Sequence, residues 1–98
     1  MVLLNDFKDD KELLSKYSFI MNGSNRIKIY LYLLKDIKTL KEIQIMLNSS
    51  LPSVSRSMKE LEKNGIAECI NSSMMRGKLY QLTPDARKLS NLILSRSE

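Results

Sequence analysis

The stretch from Thr39 to Pro84 restricts the fold of this chain more than any other feature. It contains two short helical segments joined by a polar turn, followed by two strand-like segments joined by a basic turn. Thr39 and Glu42 have the spacing of a capping box, which begins the first helix. Ser50 is typical of the residue that caps the second helix, and Gly65 is typical of the residue that ends it. The order helix, turn, helix, hairpin predicts a small α+β fold.

The hairpin comes directly after the second of these helices. Residues 66–70 alternate in part between apolar and polar side chains, and residues 78–82 alternate cleanly, which predicts two strands with a polar loop between them. Thr83 then has the pattern of a helix cap followed by proline. We expect one continuous helix to follow from residue 84.

Two further helices are predicted before this stretch. The first spans residues 10–21, with Asp9 or Asp10 as its cap. We expect Gly23 to end it in the left-handed conformation, which glycine adopts without steric cost.

The second of these helices runs to about residue 35, with Ser24 or Asn25 as its cap. Its apolar side chains occupy most of its circumference, which indicates a helix sandwiched between other elements. The N-terminal helix, a partner subunit, or both would cover the extra face.

The length of 98 residues leaves room for a single domain spanning residues 1–98. We divide it into an N-terminal helical extension at 1–23, a helix-turn-helix and wing at 24–83, and a C-terminal helix at 84–98. The formal net charge is +5, and the positive balance lies after residue 23 because the first segment is slightly acidic. A basic surface suits nucleic acid, although charge alone does not distinguish such a surface from a solvated, lysine-rich one.

The residue types that carry most chemistry are scarce. The chain has one cysteine, Cys69, and no histidine, so it lacks an internal disulfide and the commonest general base and metal ligand. It has no glycine-rich phosphate loop and no nucleophile elbow. We predict that the protein is not an enzyme and uses no cofactor and no metal. Cys69 is expected to be a small buried hydrophobic residue rather than a redox switch.

No apolar run approaches the length of a membrane span, and the acidic start does not resemble a secretory signal. We therefore expect no membrane partner and a cytoplasmic location.

The helix after the polar turn has two distinct sides. At 100° per residue, Val54, Met58 and Leu61 form its buried side. The opposite side and its shoulders carry the candidate DNA-binding residues Pro52, Ser53, Ser55, Arg56, Lys59 and Lys63. Small residues permit close approach to base edges, arginine can bind guanine with two hydrogen bonds, and lysines neutralise phosphates. The alternative is an amphipathic helix with solvated charges, but its position after a capped helix and a turn favours DNA contact.

Two runs of the sequence carry a family resemblance. They extend from Leu51 to Ile66 (LPSVSRSMKELEKNGI) and from Gly77 to Pro84 (GKLYQLTP). They resemble the winged-helix regulators of the MarR and ArsR type, including small archaeal and viral members. In that family the first run is the recognition helix and its exit into the wing, and the second is the returning wing strand and the start of the last helix.

This resemblance implies an α+β winged helix-turn-helix, mostly helical, with a two- or three-stranded β-hairpin wing. The chain lacks the cysteine and histidine pairs of metal-sensing members, so metal sensing is not expected.

The tip of the wing is basic because Arg76 and Lys78 flank a glycine. We include both in the candidate DNA-binding set, since a basic tip can reach phosphates or a narrow minor groove. The alternative is a solvated loop. Met74 and Met75 beside the tip could wedge into a groove, but packing on their own chain is the favoured interpretation.

Two earlier cations, Arg26 and Lys28, could also touch backbone phosphate. They lie at the start of the second helix, outside the stretch that predicts the helix-turn-helix.

These patterns together predict a sequence-specific regulator of transcription that binds double-stranded DNA, most simply a repressor that occludes a promoter. The apolar faces of the terminal helices favour a homodimer, whose two recognition helices would enter successive major grooves. The alternatives are a winged-helix protein-interaction module and a chromatin or replication DNA-binding protein without sequence preference. The operator and any small-molecule effector are not readable from the sequence.

Overall fold

The computed structural model describes residues 10–97. The first nine residues of the predicted N-terminal extension, among them the candidate cap Asp9, lie outside the described residues, as does Glu98. The helices and strands in chain order are α1 (Lys11–Met21), α2 (Ser24–Lys35), β1 (Lys38–Thr39), α3 (Leu40–Leu47), α4 (Leu51–Lys63), β2 (Ala67–Cys69), β3 (Leu79–Leu82), α5 (Pro84–Arg87) and α6 (Ser90–Ser97).

The helix caps explain where four of these helices begin. The side chains of Asp10, Ser50 and Thr83 each accept a hydrogen bond from the backbone N–H three residues on. At the start of α3 the capping box is complete: Thr39 N–H donates to Glu42 Oε1 at 2.9 Å, and Glu42 N–H donates to Thr39 Oγ1 at 3.1 Å. These caps satisfy N–H groups that have no partner within the helix, and the predicted caps at these positions are confirmed.

The junction between α1 and α2 differs from the prediction. Gly23 has an extended backbone, with φ −142°, and is itself the N-cap of α2. The expected left-handed conformation and the expected cap at Ser24 or Asn25 are both wrong. The Gly23 carbonyl accepts the first helical bond of α2, from Ile27 N–H at 3.1 Å, and a residue at such a cap has an extended backbone. A Cβ on Gly23 would also lie 2.9 Å from Arg26 Cδ, so glycine leaves room for the arginine side chain.

Helix α2 occupies the centre of the fold. Its residues Ile29, Tyr30 and Leu33 are fully buried, and it packs against α1, α3, α4, α6 and β3. The predicted sandwiching is confirmed, and elements of the same chain supply the cover. Leu89 and Ile93 near the C-terminus belong to the same buried core.

The three strands form one antiparallel sheet with β3 in the middle. Tyr80 and Leu82 of β3 are buried, while Leu79 and Gln81 are half-buried, as the alternation predicted. Strand β1 pairs with the other edge of β3. It is only two residues long, too short to show a period of two in the sequence.

The segment after Pro84 is two helices rather than the single helix predicted. The Ala86 carbonyl accepts a hydrogen bond from the Tyr30 hydroxyl at 2.6 Å and from the Leu89 N–H at 3.1 Å. Bonds between residues three apart tighten the last turn of a helix, so α5 ends there and the chain continues as α6.

The arrangement is a winged helix-turn-helix. Helices α3 and α4 are the paired helices, and the hairpin of β2 and β3, residues 67–82, is the wing. Mostly helical content with a three-stranded sheet confirms the predicted α+β class.

Candidate nucleic-acid interface

Helix α4 is anchored on one side and open on the other. Val54, Met58 and Leu61 are at most 1% exposed, which fixes the helix against the core. Its candidate contact residues are exposed, apart from the half-buried Ser55: Pro52, Ser53, Arg56, Lys59 and Lys63. The sequence therefore predicted correctly which side of the helix faces solvent.

A groove of about 680 Å³ lies between α3, α4 and the wing. Four of the candidate residues line it: Ser55, Lys59, Arg76 and Lys78. The fold thus brings a helix lysine and both wing cations onto one concave surface. Among the described residues of its wall, Lys41 is a further cation and Glu62 is the one carboxylate, so the groove is electropositive.

The other candidate residues lie outside this groove. At 100° per residue, Pro52 and Arg56 project next to the groove on the outermost face of α4. Ser53 lies farther round, toward α2. Lys63, the last residue of α4, borders a separate shallow depression beside Lys16 of α1. The candidate residues therefore occupy the outer face of α4 and the adjoining groove, with Lys63 at the far end of the helix.

The tip of the wing is shaped by Gly77, whose φ is +68°. A Cβ there would meet no atom within 4 Å, so the glycine is required by its backbone conformation alone. Arg76 beside it is exposed. Met75 is 94% exposed and Met74 52% exposed, so the interpretation that these methionines pack on their own chain is wrong.

Arg26 is occupied by contacts within the chain. Its Nη1 donates to the Phe19 carbonyl at 2.8 Å, and its guanidinium lies 3.8 Å from the centre of the Phe19 ring. Its Nη2 is 3.7 Å from Glu60 Oε2 on α4. Arg26 therefore ties the α1–α2 junction to α4 and compensates a negative charge on that helix. Lys28, the other early cation, is exposed.

Sequence reasoning missed part of the groove wall. Lys41 and Gln44 of α3 line it, as does Leu51, the first residue of α4, which is 47% exposed. The three-residue spacing of Lys41 and Gln44 shows that they share a helix face. Which way that face points depends on how the wing folds back, and the helix sequence carries no signal of this.

Tyr80 and Glu62 both line the groove. Burial raises the pKa of Tyr80 to about 12, and the nearby Glu62 carboxylate acts in the same direction. The phenol therefore stays protonated at neutral pH. At the start of α3, hydrogen bonds from Thr39 lower the pKa of the Glu42 carboxyl, which favours the ionised form of this carboxyl in the capping box.

Cys69 is half-buried in β2, with Sγ 3.6 Å from Asn71 Oδ1. Across residues 10–97, no cluster of three or more histidine, cysteine, aspartate or glutamate side chains is placed to hold a metal ion. In the same range, no helix combines the length and apolar character needed to cross a membrane.

Comparison with known proteins supports the fold. No protein-family model and no curated protein matches the sequence. Among solved structures, HlyU from Vibrio cholerae has a TM-score of 0.75 at 18% identity, covering 92% of this chain and 96% of its own. The transcriptional repressor BigR from Xylella fastidiosa has a TM-score of 0.74 at 17% identity, covering 97% and 96%.

A ZitR mutant from Lactococcus lactis has a TM-score of 0.68 at 23% identity and covers 99% of this chain and 74% of its own. These neighbours are winged-helix regulators of the ArsR/SmtB type and not enzymes. At such low identity the likeness establishes the fold, and the predicted resemblance is confirmed at that level.

Proposed function

We propose that this protein is a transcriptional regulator that binds double-stranded DNA in a sequence-specific manner. The observation that carries the proposal is the shared electropositive groove: Lys59 of α4 and Arg76 and Lys78 of the wing line one concave surface. Next to that surface, Arg56 projects from the outer face of α4. A winged helix that enters the major groove would use these two surfaces for different tasks.

The outer face of α4 would read bases. Arg56 is exposed, and an arginine can bind O6 and N7 of guanine with two hydrogen bonds. Pro52, Ser53 and Ser55 are small and lie near the helix N-terminus, so they permit a close approach. Phosphates are also favoured there by the helix dipole.

The groove would hold a phosphate strand between α4 and the wing. Its cations are spread over three elements, with Lys41 on α3, Lys59 on α4, and Arg76 and Lys78 on the wing. Phosphate contacts set the register of a protein on DNA without reading sequence. Lys63 would add a contact at the far end of the helix.

We further propose that the protein acts as a repressor by occluding a promoter, as a homodimer located in the cytoplasm. BigR, one of the structural neighbours, is a transcriptional repressor. Two copies would place two recognition helices in successive major grooves. Leu89 and Ile93 are fully buried within the chain and are not available to a partner, so we propose the outer faces of α1 and α6 as the dimer surface. Sedimentation measures the molecular mass in solution, which is 11.3 kDa for a monomer and twice that for a dimer.

A protein-interaction module is the alternative class, and one observation favours it. Leu51 and Met75 present exposed apolar surface in the groove. Binding to duplex DNA weakens steeply with salt, whereas docking through an apolar surface depends on salt far less. A non-specific DNA-binding protein would bind random duplex as well as any selected one.

The deciding experiment is selection of bound duplexes from a random pool, followed by binding measurements at several salt concentrations. Arg56→Ala should weaken binding to the selected duplex by about 1–3 kcal/mol and relax the preference at one base pair. Lys59→Ala should weaken all duplexes alike and lower the slope of log affinity against log salt by about 0.9.

The matched control is Arg87→Ala, which removes the same charge from the exposed surface of α5 and should leave base preference unchanged. Failure to enrich any duplex would exclude sequence-specific binding. An Arg56→Ala variant with wild-type affinity and preference would exclude the assigned reading face.

A further inference from the structure

One side chain holds both sides of the wing loop together. Asn71 follows β2, and its Nδ2 donates to the Gly77 carbonyl at 3.1 Å. Its Oδ1 accepts a hydrogen bond from Leu79 N–H at 2.8 Å, with Cys69 Sγ at 3.6 Å from the same oxygen. Its backbone carbonyl accepts from Met74 N–H at 2.9 Å. Asn71 therefore links the outgoing strand, the loop and the returning strand.

These bonds hold the backbone on both sides of Lys78, at the charged tip of the wing. Gly77 and Leu79 are the neighbours of Lys78 on either side, and Asn71 binds the carbonyl of one and the N–H of the other. Arg76 precedes Gly77, whose left-handed backbone turns the chain at this point. The directions in which Arg76 and Lys78 leave the backbone are therefore set by the peptide groups that Asn71 binds.

We propose that Asn71 is a positioning residue for DNA binding, which acts through the wing cations and does not itself touch DNA. It holds the tip in the orientation that places Arg76 and Lys78 in the wall of the groove shared with α4. The proposal rests on the proposed function, because it assumes that these two cations meet phosphates.

The chemistry requires an amide at this position. Asparagine offers a donor and an acceptor on one short side chain, and both are used here across the loop. Alanine removes both bonds. The hydrogen bond from Ile70 N–H to the Leu79 carbonyl, at 2.9 Å, is made by the backbone and would remain to join the strands. The expected result of Asn71→Ala is a hairpin that stays paired at its base and loses a fixed tip.

The test compares four proteins: wild type, Asn71→Ala, Arg76→Ala with Lys78→Ala, and all three changes together. The slope of log affinity against log salt is measured for each on one selected duplex. Removing both cations should lower the slope by up to about 1.8, corresponding to two phosphate contacts. Asn71→Ala alone should lower the slope by a similar amount, and adding it to the cation variant should change nothing further. Asn25→Ala, at an exposed asparagine of α2, is the matched control and should retain the wild-type slope.

Amide hydrogen exchange provides a readout without DNA. The Leu79 amide should exchange about tenfold faster in Asn71→Ala, the effect of losing one hydrogen bond, while the Met58 amide in α4 keeps its rate. An unchanged Leu79 rate would overturn the proposal.

Different outcomes test the positioning role of Asn71 and the DNA-binding role of the wing. If the double cation variant lowers the slope and Asn71→Ala does not, the positioning role is wrong and the DNA-binding role of the wing stands. If the double cation variant itself leaves the slope unchanged, the wing does not meet phosphates, and both the wing assignment and the role of Asn71 are overturned. An additive loss in the triple variant would likewise contradict action through the cations.

Discussion

Helix α4 and the wing present cations to the same groove but hold them by different means. Three buried side chains fix α4 against the core, and a serine cap fixes its start. The wing loop projects away from the core and is held by hydrogen bonds from one asparagine. Burial of apolar surface contributes several kcal/mol at one site, whereas each hydrogen bond contributes about 1 kcal/mol net. Helix α4 is thus held by packing, whereas the wing loop is held by a much smaller free energy.

Methionines at 58 and 75 test this difference with one residue type. Met58 is fully buried in the face of α4 that packs on the core, and Met75 is 94% exposed in the wing. Met58→Ala should lower the free energy of unfolding by about 2–5 kcal/mol because it leaves a cavity. Met75→Ala should change it by less than about 0.5 kcal/mol. Urea denaturation measures both, and equal losses would show that the wing tip packs on the fold.

Gly65 follows the end of α4 and Gly77 lies at the tip of the wing, so replacing each with alanine compares the two regions. Gly65 follows α4 with φ +71°, and Gly77 turns the wing with φ +68°. Alanine in this left-handed region costs about 1–2 kcal/mol at either position. At Gly65 a Cβ would also lie 3.0 Å from Lys16 Cε, whereas at Gly77 it would meet nothing within 4 Å. Gly65→Ala should therefore be the more destabilising change in thermal unfolding, and the reverse order would contradict the tighter packing of the helix end.

Neutralising each of two carboxylates on α4 compares the effects of their charges on DNA affinity. Glu60 faces Arg26 at 3.7 Å, and Glu62 lines the groove among its cations. Glu62→Gln should raise affinity for all duplexes at low salt, since it removes the one carboxylate among the residues that line the groove. Glu60→Gln should raise it less, because Arg26 already compensates that charge. Neither change should alter the free energy of unfolding by more than about 1 kcal/mol. A larger gain from Glu60→Gln would place the DNA on the α2 side of the helix.

The smallest expected effect is the pH dependence of the capping box that begins α3. The pKa of the Glu42 carboxyl is lowered in the folded chain by hydrogen bonds from Thr39. Its contribution to stability is therefore fully present above the pKa of the unfolded chain and is lost as pH falls through the folded value. Glu42→Gln keeps an acceptor for the Thr39 N–H and should flatten this part of the stability curve in acid. Unfolding measured between neutral and acidic pH checks the slope, and an identical curve for both proteins would remove Glu42 from the acid response.

Local signals in the sequence determined most of the elements. The caps at Thr39 and Ser50, the stop at Gly65 and the alternation in β3 are interactions between residues close in the chain. Local sequence therefore specified α3, α4 and the hairpin, together with the exposed side of α4. Positions that depend on contact with distant residues were predicted less well. The break after α5 is an example, because it involves the hydroxyl of Tyr30, which is 56 residues from Ala86 in the chain.

The candidate site likewise has features that local sequence predicts and features that depend on the tertiary structure. Arg56, Lys59, Arg76 and Lys78 could be selected from the sequence because their residue types and the pattern around them are local. Tertiary structure alone decided that Lys59 shares a groove with the wing cations, that Lys41 joins them from α3, and that Arg26 is engaged by Glu60. It also decided that one asparagine holds the wing tip. The physical reason is that helical and strand periods fix which face a side chain occupies, whereas the packing of α2 and the fold-back of β3 fix what that face meets.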